Sequence, residues 1–529
     1  MRLSLLLLVS TTAACIATAS SFAAVTTYTD RSYGEIVDYL LELEDKYPEY
    51  AEVFSVQDKY NLPRPKELQC TRSNKTVPCD QYVIKITNET SLPDPQRPEL
   101  IFSGEVHGNE RVGPQAVVVL AELLLSHAAR SDGNPWIQHL VNTRTVVIIP
   151  TANAHGYDRN SRRENNVDPN RDFPYNLDND VECMVTMAAR AINELWRDHL
   201  FQLGITFHSG TRCVSYEWGG KNHVFDSGKG MTSPDNRGQQ QLARIMSRFG
   251  GRFEEDGTYY PDATMTDIVY AVNGGMEDWG YAASWENEYT TPEPIGVCNP
   301  TTYGGYPTAK TKYNNATHRA FNMLIETSDS KQPNATSLGD STTLSDKALS
   351  DYLPDDETVG HVPRNVRLSL LYIDLVQPYL LWKKLPSKVT AGKPTIFAWE
   401  VAGSITVDST QLKIWTKDDA SDLTLTKAQS GVTRWYHEDL DTSDSNNKGL
   451  FSAKVEFAAA GTYFVQAIAT VDQCWTTQGT GDNSSVPDVG PQTHIVNART
   501  NAKWEYSNNG RVVKGQTEWA SSVTKIVVV

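Results

Sequence analysis

Positive charge is scarce in this sequence of 529 residues. Its 48 Lys and Arg residues are outnumbered by 64 Asp and Glu residues, which gives a formal net charge of −16 at pH 7. A chain of this charge repels phosphate backbones and anionic membranes, and no dense stripe of Lys and Arg offsets the repulsion. Nucleic acid is therefore excluded as an expected partner.

Long hydrophobic runs are missing beyond the N-terminus. The first residues comprise Arg2, the apolar run LSLLLLV, and small-residue sites at Ala17-Thr18-Ala19 and Ser21-Phe22-Ala23. This order is typical of a cleaved secretory signal. No later segment is long and apolar enough to span a bilayer. We therefore predict a signal peptide over residues 1–23 and a secreted mature chain without a membrane span.

Cysteine is rare, with seven residues in the chain. Cys15 lies in the predicted signal, and the six that remain form an even set suited to disulfides in an oxidising compartment. We expect Cys70 to pair with Cys79, whereas Cys213 with Cys298 is one hypothesis among the other pairings. Sequons that would accept glycans stand at Asn74, Asn88, Asn315, Asn334 and Asn483.

Two patterns of apolar residues divide the chain. Over residues 28–328, strand-like runs such as ELIFSG and LGITFH alternate with helical patterns, which predicts an α/β domain with helices on both faces of a parallel or mixed sheet. The polar segment 329–365 is predicted to be a linker. Over residues 366–529, short apolar runs separated by Gly, Asp, Asn and Ser predict an all-β sandwich.

A histidine and a glutamate stand three residues apart directly after the strand-like run ELIFSG. They are His107 and Glu110, and His208 closes another such run, LGITFH. Ligands of open α/β sheets collect at the carboxyl ends of strands. Two nearby ligands and a distant third suit a catalytic zinc ion, which keeps its fourth position open. The alternative is that both histidines only satisfy backbone groups at strand ends.

Further motifs complete an ordered set in the same segment. They are Arg163-Glu164-Asn165, VDPNRDFP, Tyr270 and GGMEDW. Together with HGNE and FHSG, this order resembles the zinc metallocarboxypeptidases, the family of the pancreatic carboxypeptidases A and B and the regulatory carboxypeptidases D, E and N. HGNE, DxNRxFP and GGMxDW are most similar to the regulatory branch. The resemblance covers roughly residues 30–328 and implies the zinc carboxypeptidase fold, a mixed β-sheet flanked by helices, followed by a C-terminal β-sandwich domain.

The resemblance implies a metal site and a substrate clamp. One zinc ion would be held by His107, Glu110 and His208. The free carboxylate of a peptide C-terminus would be bound by Arg171, aided by Asn170 and Tyr270, because a planar guanidinium can donate two parallel hydrogen bonds to it.

Two further catalytic roles are implied, stabilisation of the oxyanion and general base. Arg163 would stabilise the oxyanion, with Arg162 as the competing candidate. The family's general base is a glutamate on a strand after GGxxDW. We favour Glu286 for this role and keep Glu293 and Glu288 open, because the sequence after Trp279 departs from the family spacing.

A carboxylate in GGMEDW bears on specificity. Glu277 occupies the position close to where the family seats the terminal side chain of the substrate, and it would favour Lys or Arg there. The alternatives are that Glu277 points to solvent or is neutralised by Arg212.

The sequence thus predicts a secreted zinc carboxypeptidase that releases single residues from the C-termini of peptides or proteins, with a possible preference for basic residues. A catalytically inactive, zinc-containing, peptide-binding glycoprotein of the same fold is the alternative, since the general base is out of place. A zinc deacylase acting on N-acyl amino acids is a smaller third candidate.

Overall fold

Most of the chain is described by this computed structural model. It describes residues 25–178, 183–233, 235–283, 298–311, 320–345, 349, 358–404, 407, 409–416, 426–427, 450–471, 511–513 and 516–529. The predicted signal peptide lies outside these residues. Among the described helices, none combines the length and the apolar character that a membrane crossing requires.

An eight-stranded mixed sheet forms the first part of the molecule. Its strands follow the order β1-β4-β6-β5-β7-β10-β8-β9, and the central neighbours β6, β5, β7 and β10 run parallel. The strands of this part, including the separate hairpin β2-β3, are β1 Ala51–Ser55, β2 Gln69–Arg72, β3 Lys75–Pro78, β4 Tyr82–Ile86, β5 Glu99–Ser103, β6 Thr145–Ile149, β7 Phe201–His208, β8 Arg212–Tyr216, β9 Asp262–Thr264 and β10 Phe321–Thr327.

Helices cover this sheet. The α-helices are Tyr33–Lys46, Val56–Tyr60, Val112–Ala128, Pro135–Thr143, Ala154–Asp158, Met187–Asp198, Asn236–Gly250, Met265–Ile268, Met276–Ala282, Thr308–Thr311, Ala335–Leu338 and His361–Leu375. Short 3₁₀ turns span Asp94–Gln96, Pro169–Arg171, Lys221–His223, Thr302–Gly304 and Ser341–Leu344.

The central strands explain where a site can form. Strands β5, β6, β7 and β10 are buried along their whole length, as near-continuous apolar runs covered by helices on both faces should be. Because β5, β7 and β10 are adjacent and parallel, their carboxyl ends lie at one edge of the sheet. Residues at these three ends are therefore close in space although they are distant in sequence.

Two disulfides join described residues. Cys70 pairs with Cys79 between β2 and β3, which confirms the prediction for this pair. Cys298 pairs with Cys183, with Cα atoms 5.6 Å apart, so the pairing of Cys298 with Cys213 is wrong. Cys213 lies instead on strand β8, is buried, and has no disulfide partner among the described cysteines. Cys474 falls outside the described residues.

The segment after β10 belongs to the α/β part of the molecule. Leu338 and Leu344, within the predicted linker, are buried in its core. Helix His361–Leu375 is buried throughout, and its Tyr372 hydroxyl donates to the carbonyl of Phe321 at 2.8 Å. The strand-rich part therefore begins only at Tyr379, later than the predicted residue 366. The reason is that the apolar residues of this helix pack on the α/β core rather than on the second sheet pair.

The C-terminal part is built from two sheets around a second core. One sheet has the order β11-β13-β16, and the other contains β12-β20-β17-β14-β15 with β18 and β19 attached. Side chains from both sheets, among them Trp399 and Val465, share this core. The bounds are β11 Tyr379–Lys384, β12 Lys388–Val389, β13 Pro394–Ala402, β14 Ser409–Thr416, β15 Thr426–Lys427, β16 Leu450–Glu456, β17 Gly461–Val471, β18 Arg511–Val513, β19 Gln516–Ala520 and β20 Thr524–Val528. The predicted fold class, a mixed sheet with flanking helices followed by a β-rich domain, is confirmed.

Candidate metal centre and active site

Three predicted ligands meet at the carboxyl edge of the sheet. His107 and Glu110 lie in the turn after β5, and His208 is the last residue of β7. Their ligand atoms all lie within 4.8 Å of one another, and all three residues are buried. His208 Nδ1 is 3.1 Å from His107 Nδ1 and 3.0 Å from Glu110 Oε2. Two imidazoles and one carboxylate are the donor set of many catalytic zinc sites.

The turn that holds His107 depends on close backbone packing. A side chain at Gly108 would collide with the backbone of Gly156 and Tyr157. Glycine lets this turn lie against the helix Ala154–Asp158 and so brings His107 and Glu110 toward β7. The glycine of the His-Gly-Asn-Glu sequence is therefore required by the packing, in addition to the residues needed as ligands.

The charges of the cluster favour a bound cation. Burial raises the pKa of Glu110, but the neighbouring His107 and His208 lower it well below its usual range. Burial lowers the pKa of His208, but Glu110 and Glu277 raise it to about 10. A site that stabilises a proton on a buried imidazole in this way also stabilises a metal cation there. The residues present therefore fit a zinc ion.

An outer carboxylate orients His107. Asp168 Oδ1 is 3.0 Å from His107 Nε2, and the second oxygen of Asp168 is 2.9 Å from an Arg162 nitrogen. Burial raises the pKa of Asp168, but His107 and the neighbouring arginines lower it well below its usual range. Such carboxylate–histidine contacts fix the ring and its tautomer at metal sites.

The predicted carboxylate-binding residues line the same cavity. Asn170, Arg171 and Tyr270 border a space of about 390 Å³ together with the three metal-site residues. The Asn170 amide oxygen accepts from the backbone of Met276 at 2.8 Å, which holds this side chain. The Arg171 guanidinium lies 5.9 Å from the Tyr270 ring centre, and Tyr270 is 52% exposed. The cavity thus brings a guanidinium and the metal-site residues together.

Arg162, rather than Arg163, faces the metal site. Arg162 Nη1 is 3.1 Å from His107 Nδ1 and lines the cavity. Arg163 is exposed, and its guanidinium donates to the carbonyl of Asn166. These contacts favour Arg162, the competing candidate, over Arg163 for the oxyanion role.

The three glutamates considered as general base, Glu286, Glu288 and Glu293, lie outside the described residues. The cavity itself contains another carboxylate, Glu326, near the end of β10. Glu326 pairs in register with His208 on β7. Its Oε2 is buried and, within the described part of the chain, has no hydrogen-bond partner. Burial raises its pKa, and a raised pKa makes a carboxylate a stronger proton acceptor.

Sequence reasoning missed Glu326 because it sought the base close to GGMEDW. A signal was present, since the apolar run FNMLIE ends in a glutamate and has the strand character of the runs that end near His107 and His208. Among the described residues, β10 is the first strand after Trp279. A long segment of chain separates Glu326 from GGMEDW, so a search close to this motif does not reach Glu326.

The remaining predicted residue, Glu277, does not line the cavity. It is fully buried, and its Oε1 is 3.4 Å from His208 Nε2. Arg212 does not neutralise it, because the Arg212 guanidinium pairs with Asp329 at 2.8 Å and Asp256 at 3.4 Å. Neither alternative proposed for Glu277, exposure to solvent or pairing with Arg212, is found.

The rest of the cavity has an apolar wall and one lysine. The apolar residues are Met265, Ile268, Val269, Val272 and Leu324. Lys331 follows β10, and its Nζ is 2.6 Å from Glu110 Oε1. This lysine adds a third positive side chain, after Arg162 and Arg171, to a cavity that would bind a carboxylate.

The family comparison agrees with this geometry. A family model described as zinc carboxypeptidase matches residues 79–294. Carboxypeptidase D of Mus musculus is 28% identical over 227 residues, which are 38% of this chain and 16% of that protein. Carboxypeptidase SOL1 of Arabidopsis thaliana is 27% identical over 261 residues, which are 49% of this chain and 45% of that protein. The chain thus spans less than half the length of either relative.

A solved structure shows a weaker likeness. Carboxypeptidase A from Helicoverpa armigera aligns with a TM-score of 0.40 and 17% identity over 58% of this chain and 66% of that chain. The assignment rests on the family match and the curated relatives. They confirm the resemblance found in the motifs: residues 79–294 of this chain match the zinc carboxypeptidase family.

Proposed function

We propose that the protein is a secreted zinc carboxypeptidase that hydrolyses the C-terminal peptide bond of peptides or proteins and releases one residue at a time. The observation that carries the proposal is the shared cavity. The metal-site cluster, the Arg171 guanidinium and the Glu326 carboxylate all border it. A metal site alone serves many hydrolases, whereas a guanidinium beside it favours substrates that end in a free carboxylate.

Each side chain has a role in this proposal. Arg171, with Asn170 and Tyr270, binds the terminal carboxylate and so fixes which peptide bond reaches the metal site. Arg162 donates hydrogen bonds to the oxygen on which negative charge develops.

Glu326 accepts the proton of the attacking water and passes it to the leaving amine. A zinc ion held by His107, Glu110 and His208 would polarise the scissile carbonyl and acidify water. Because Glu326 is buried and its pKa is raised, it can carry the proton between the two steps.

The inactive peptide-binding alternative loses its main support. It was motivated by the missing strand glutamate after GGMEDW. Glu326 supplies a carboxylate in the cavity on the strand next to His208. No described feature favours binding without hydrolysis.

Secretion is part of the proposal. The N-terminal pattern of residues 1–23 predicts export, and the pairs Cys70–Cys79 and Cys183–Cys298 suit an oxidising compartment. The sequons at Asn74, Asn88 and Asn334 belong to described residues, and glycans on them are expected if the chain follows this route.

A pair of matched peptides tests the activity. One peptide is supplied as the free acid and as the C-terminal amide, and both are incubated with the purified protein and analysed by mass spectrometry. The proposal predicts loss of one residue from the acid and an intact amide, because the amide cannot form the paired hydrogen bonds with Arg171. Cleavage of both forms at equal rates would contradict the clamp, and intact acid with zinc-containing protein would contradict the activity.

The predicted preference for basic residues can be read from the same assay by varying the last residue. The preference requires that Glu277, which is buried and does not border the cavity, reach the substrate. Peptides ending in Phe or Leu that are trimmed faster than those ending in Arg or Lys would contradict it.

A further inference from the structure

Glu277 is the buried acid next to the second histidine of the metal site. It lies in the first turn of helix Met276–Ala282 and has no exposed surface. Its Oε1 is 3.4 Å from His208 Nε2, and its Oε2 is 3.4 Å from the Asn170 amide nitrogen. Apart from this approach, neither Glu277 Oε1 nor His208 Nε2 has a hydrogen-bond partner in the described part of the chain.

The ring of His208 is oriented so that its two nitrogens have different surroundings. Nδ1 points to the cluster, 3.0 Å from Glu110 Oε2. When Nδ1 donates its lone pair to a metal, Nε2 carries the proton of the neutral ring. A buried N–H without an acceptor is costly, and the Glu277 carboxylate is the acceptor that the structure offers.

His107 shows the same arrangement with another acid. Its Nδ1 faces Glu110 Oε1 at 3.2 Å, and its Nε2 lies 3.0 Å from Asp168 Oδ1. Both histidines thus present Nδ1 to the site and Nε2 to a carboxylate. Because the two acids occupy equivalent positions, we expect both to have the same role: each fixes the orientation of its imidazole ring and makes the ring a stronger metal ligand.

We infer that Glu277 is a positioning residue for His208 and does not read the terminal side chain of the substrate. This inference rests on the proposed zinc site. Glu277 is absent from the cavity lining, whose carboxylates, among the described residues, are Glu110 and Glu326. The terminal side chain therefore meets the apolar wall around Val269 and Leu324 rather than the Glu277 charge.

The first test measures zinc binding directly. The dissociation constant for zinc is determined by competition with a chelator for the unmodified protein and for Glu277→Gln, with Asp168→Asn as a reference and Asp278→Asn as the control. Asp278 is the neighbouring buried acid, but it accepts from the backbone of Gly219 and Gly220. Loss of an outer carboxylate typically weakens metal binding about 10- to 100-fold. We expect this loss for Glu277→Gln and Asp168→Asn, with unchanged affinity for Asp278→Asn.

The second test measures selectivity on the same proteins. The ratio of kcat/KM for peptides ending in Arg and in Leu should be unchanged by Glu277→Gln. Unchanged zinc affinity in Glu277→Gln would overturn the inference, and so would a fall of the Arg to Leu ratio.

A third variant covers the case in which Glu277→Gln does not fold. Glu277→Asp keeps the charge but shortens the side chain, so a positioning role predicts weaker zinc binding, whereas a substrate-reading role predicts normal zinc binding. If none of the proteins cleaves any peptide, the zinc affinities still decide the role of Glu277. Failure of the proposed activity is therefore distinguishable from failure of this inference.

Discussion

At the scale of single residues, two adjacent arginines differ in what they contact. Arg162 lies 3.1 Å from His107 Nδ1 and pairs with Asp168, whereas Arg163 is exposed and bonds the backbone of Asn166. The sequence motif led us to favour Arg163 over the competing candidate Arg162, since the directions of adjacent side chains in a turn are set by the backbone conformation, which the motif does not give.

This difference predicts the kinetics of a matched pair of variants. Removing one oxyanion donor typically lowers kcat about 10²- to 10³-fold. We expect a loss of this size in Arg162→Gln and none in Arg163→Gln, measured by steady-state hydrolysis of one peptide. A large loss in Arg163→Gln alone would reverse the assignment.

Arg171 gives a second prediction at this scale. Arg171→Lys keeps the charge but loses the planar pair of donors. Hydrogen bonds to charged groups contribute about 1.5–3 kcal/mol each, so losing one should raise KM about tenfold or more. The preference for the free acid over the amide should shrink in parallel. An unchanged KM would show that another cation, such as Lys331, binds the carboxylate.

At the scale of elements, the strand ends assemble the site. His107 follows β5, His208 ends β7 and Glu326 lies near the end of β10, and these strands are adjacent and parallel. The histidines were predictable because short motifs mark them. Glu326 was missed, because the run FNMLIE marks a strand end but does not show that this strand lies next to β7 in the sheet.

The loop that carries Arg171, the proposed carboxylate clamp, is tied to the helix Met187–Asp198. Glu164 accepts from the backbone of Met187 and Ala188 at the start of this helix, and Asp172 accepts from the backbone and the hydroxyl of Thr186. Burial raises the pKa of Glu164 and that of Asp172 to about 7 each. Two acids therefore connect the residues around Arg171 to a helix end.

These raised pKa values predict a pH dependence of stability. Above about pH 4.5 the folded state retains protons on Glu164 and Asp172 that the unfolded chain releases, so their contribution to stability falls as the pH rises from about 4.5 through 7. We expect the free energy of unfolding, measured with urea, to fall between about pH 5 and about pH 8 in both proteins. The fall should be smaller for Glu164→Gln than for the unmodified protein. The difference should be on the order of 1 kcal/mol or more. An equal decline in both proteins would contradict the assigned cause.

At the scale of the whole molecule, the described residues form two large hydrophobic cores. The first contains the mixed sheet and helix His361–Leu375, and the second lies between the two sheets that follow Tyr379. The sequence predicted both classes of structure from their apolar periodicity. It did not predict the boundary, because the helix after the polar segment gives no local sign of the core on which it packs.

Because the described metal cluster lies in the α/β part, away from the second core, we predict a selective effect of zinc on thermal unfolding. A ligand that binds only the folded state stabilises it by about 2.7 kcal/mol at 100 times its dissociation constant. Removal of zinc by a chelator should therefore lower the unfolding temperature of the α/β part and leave that of the C-terminal part unchanged. Calorimetry with and without the chelator measures both transitions. Equal shifts of the whole unfolding profile would show that the two parts unfold as one unit.

The central claim is that the metal cluster and Glu326 act together on a peptide bond. It is tested most directly by measuring zinc content and single-residue release on the same samples of the unmodified protein, Glu110→Gln and Glu326→Gln. The unmodified protein should contain zinc and release the terminal residue, Glu110→Gln should lose both properties, and Glu326→Gln should retain zinc but lose turnover. Hydrolysis by Glu326→Gln at the unmodified rate would contradict the account and return the role of general base to Glu286 or Glu293.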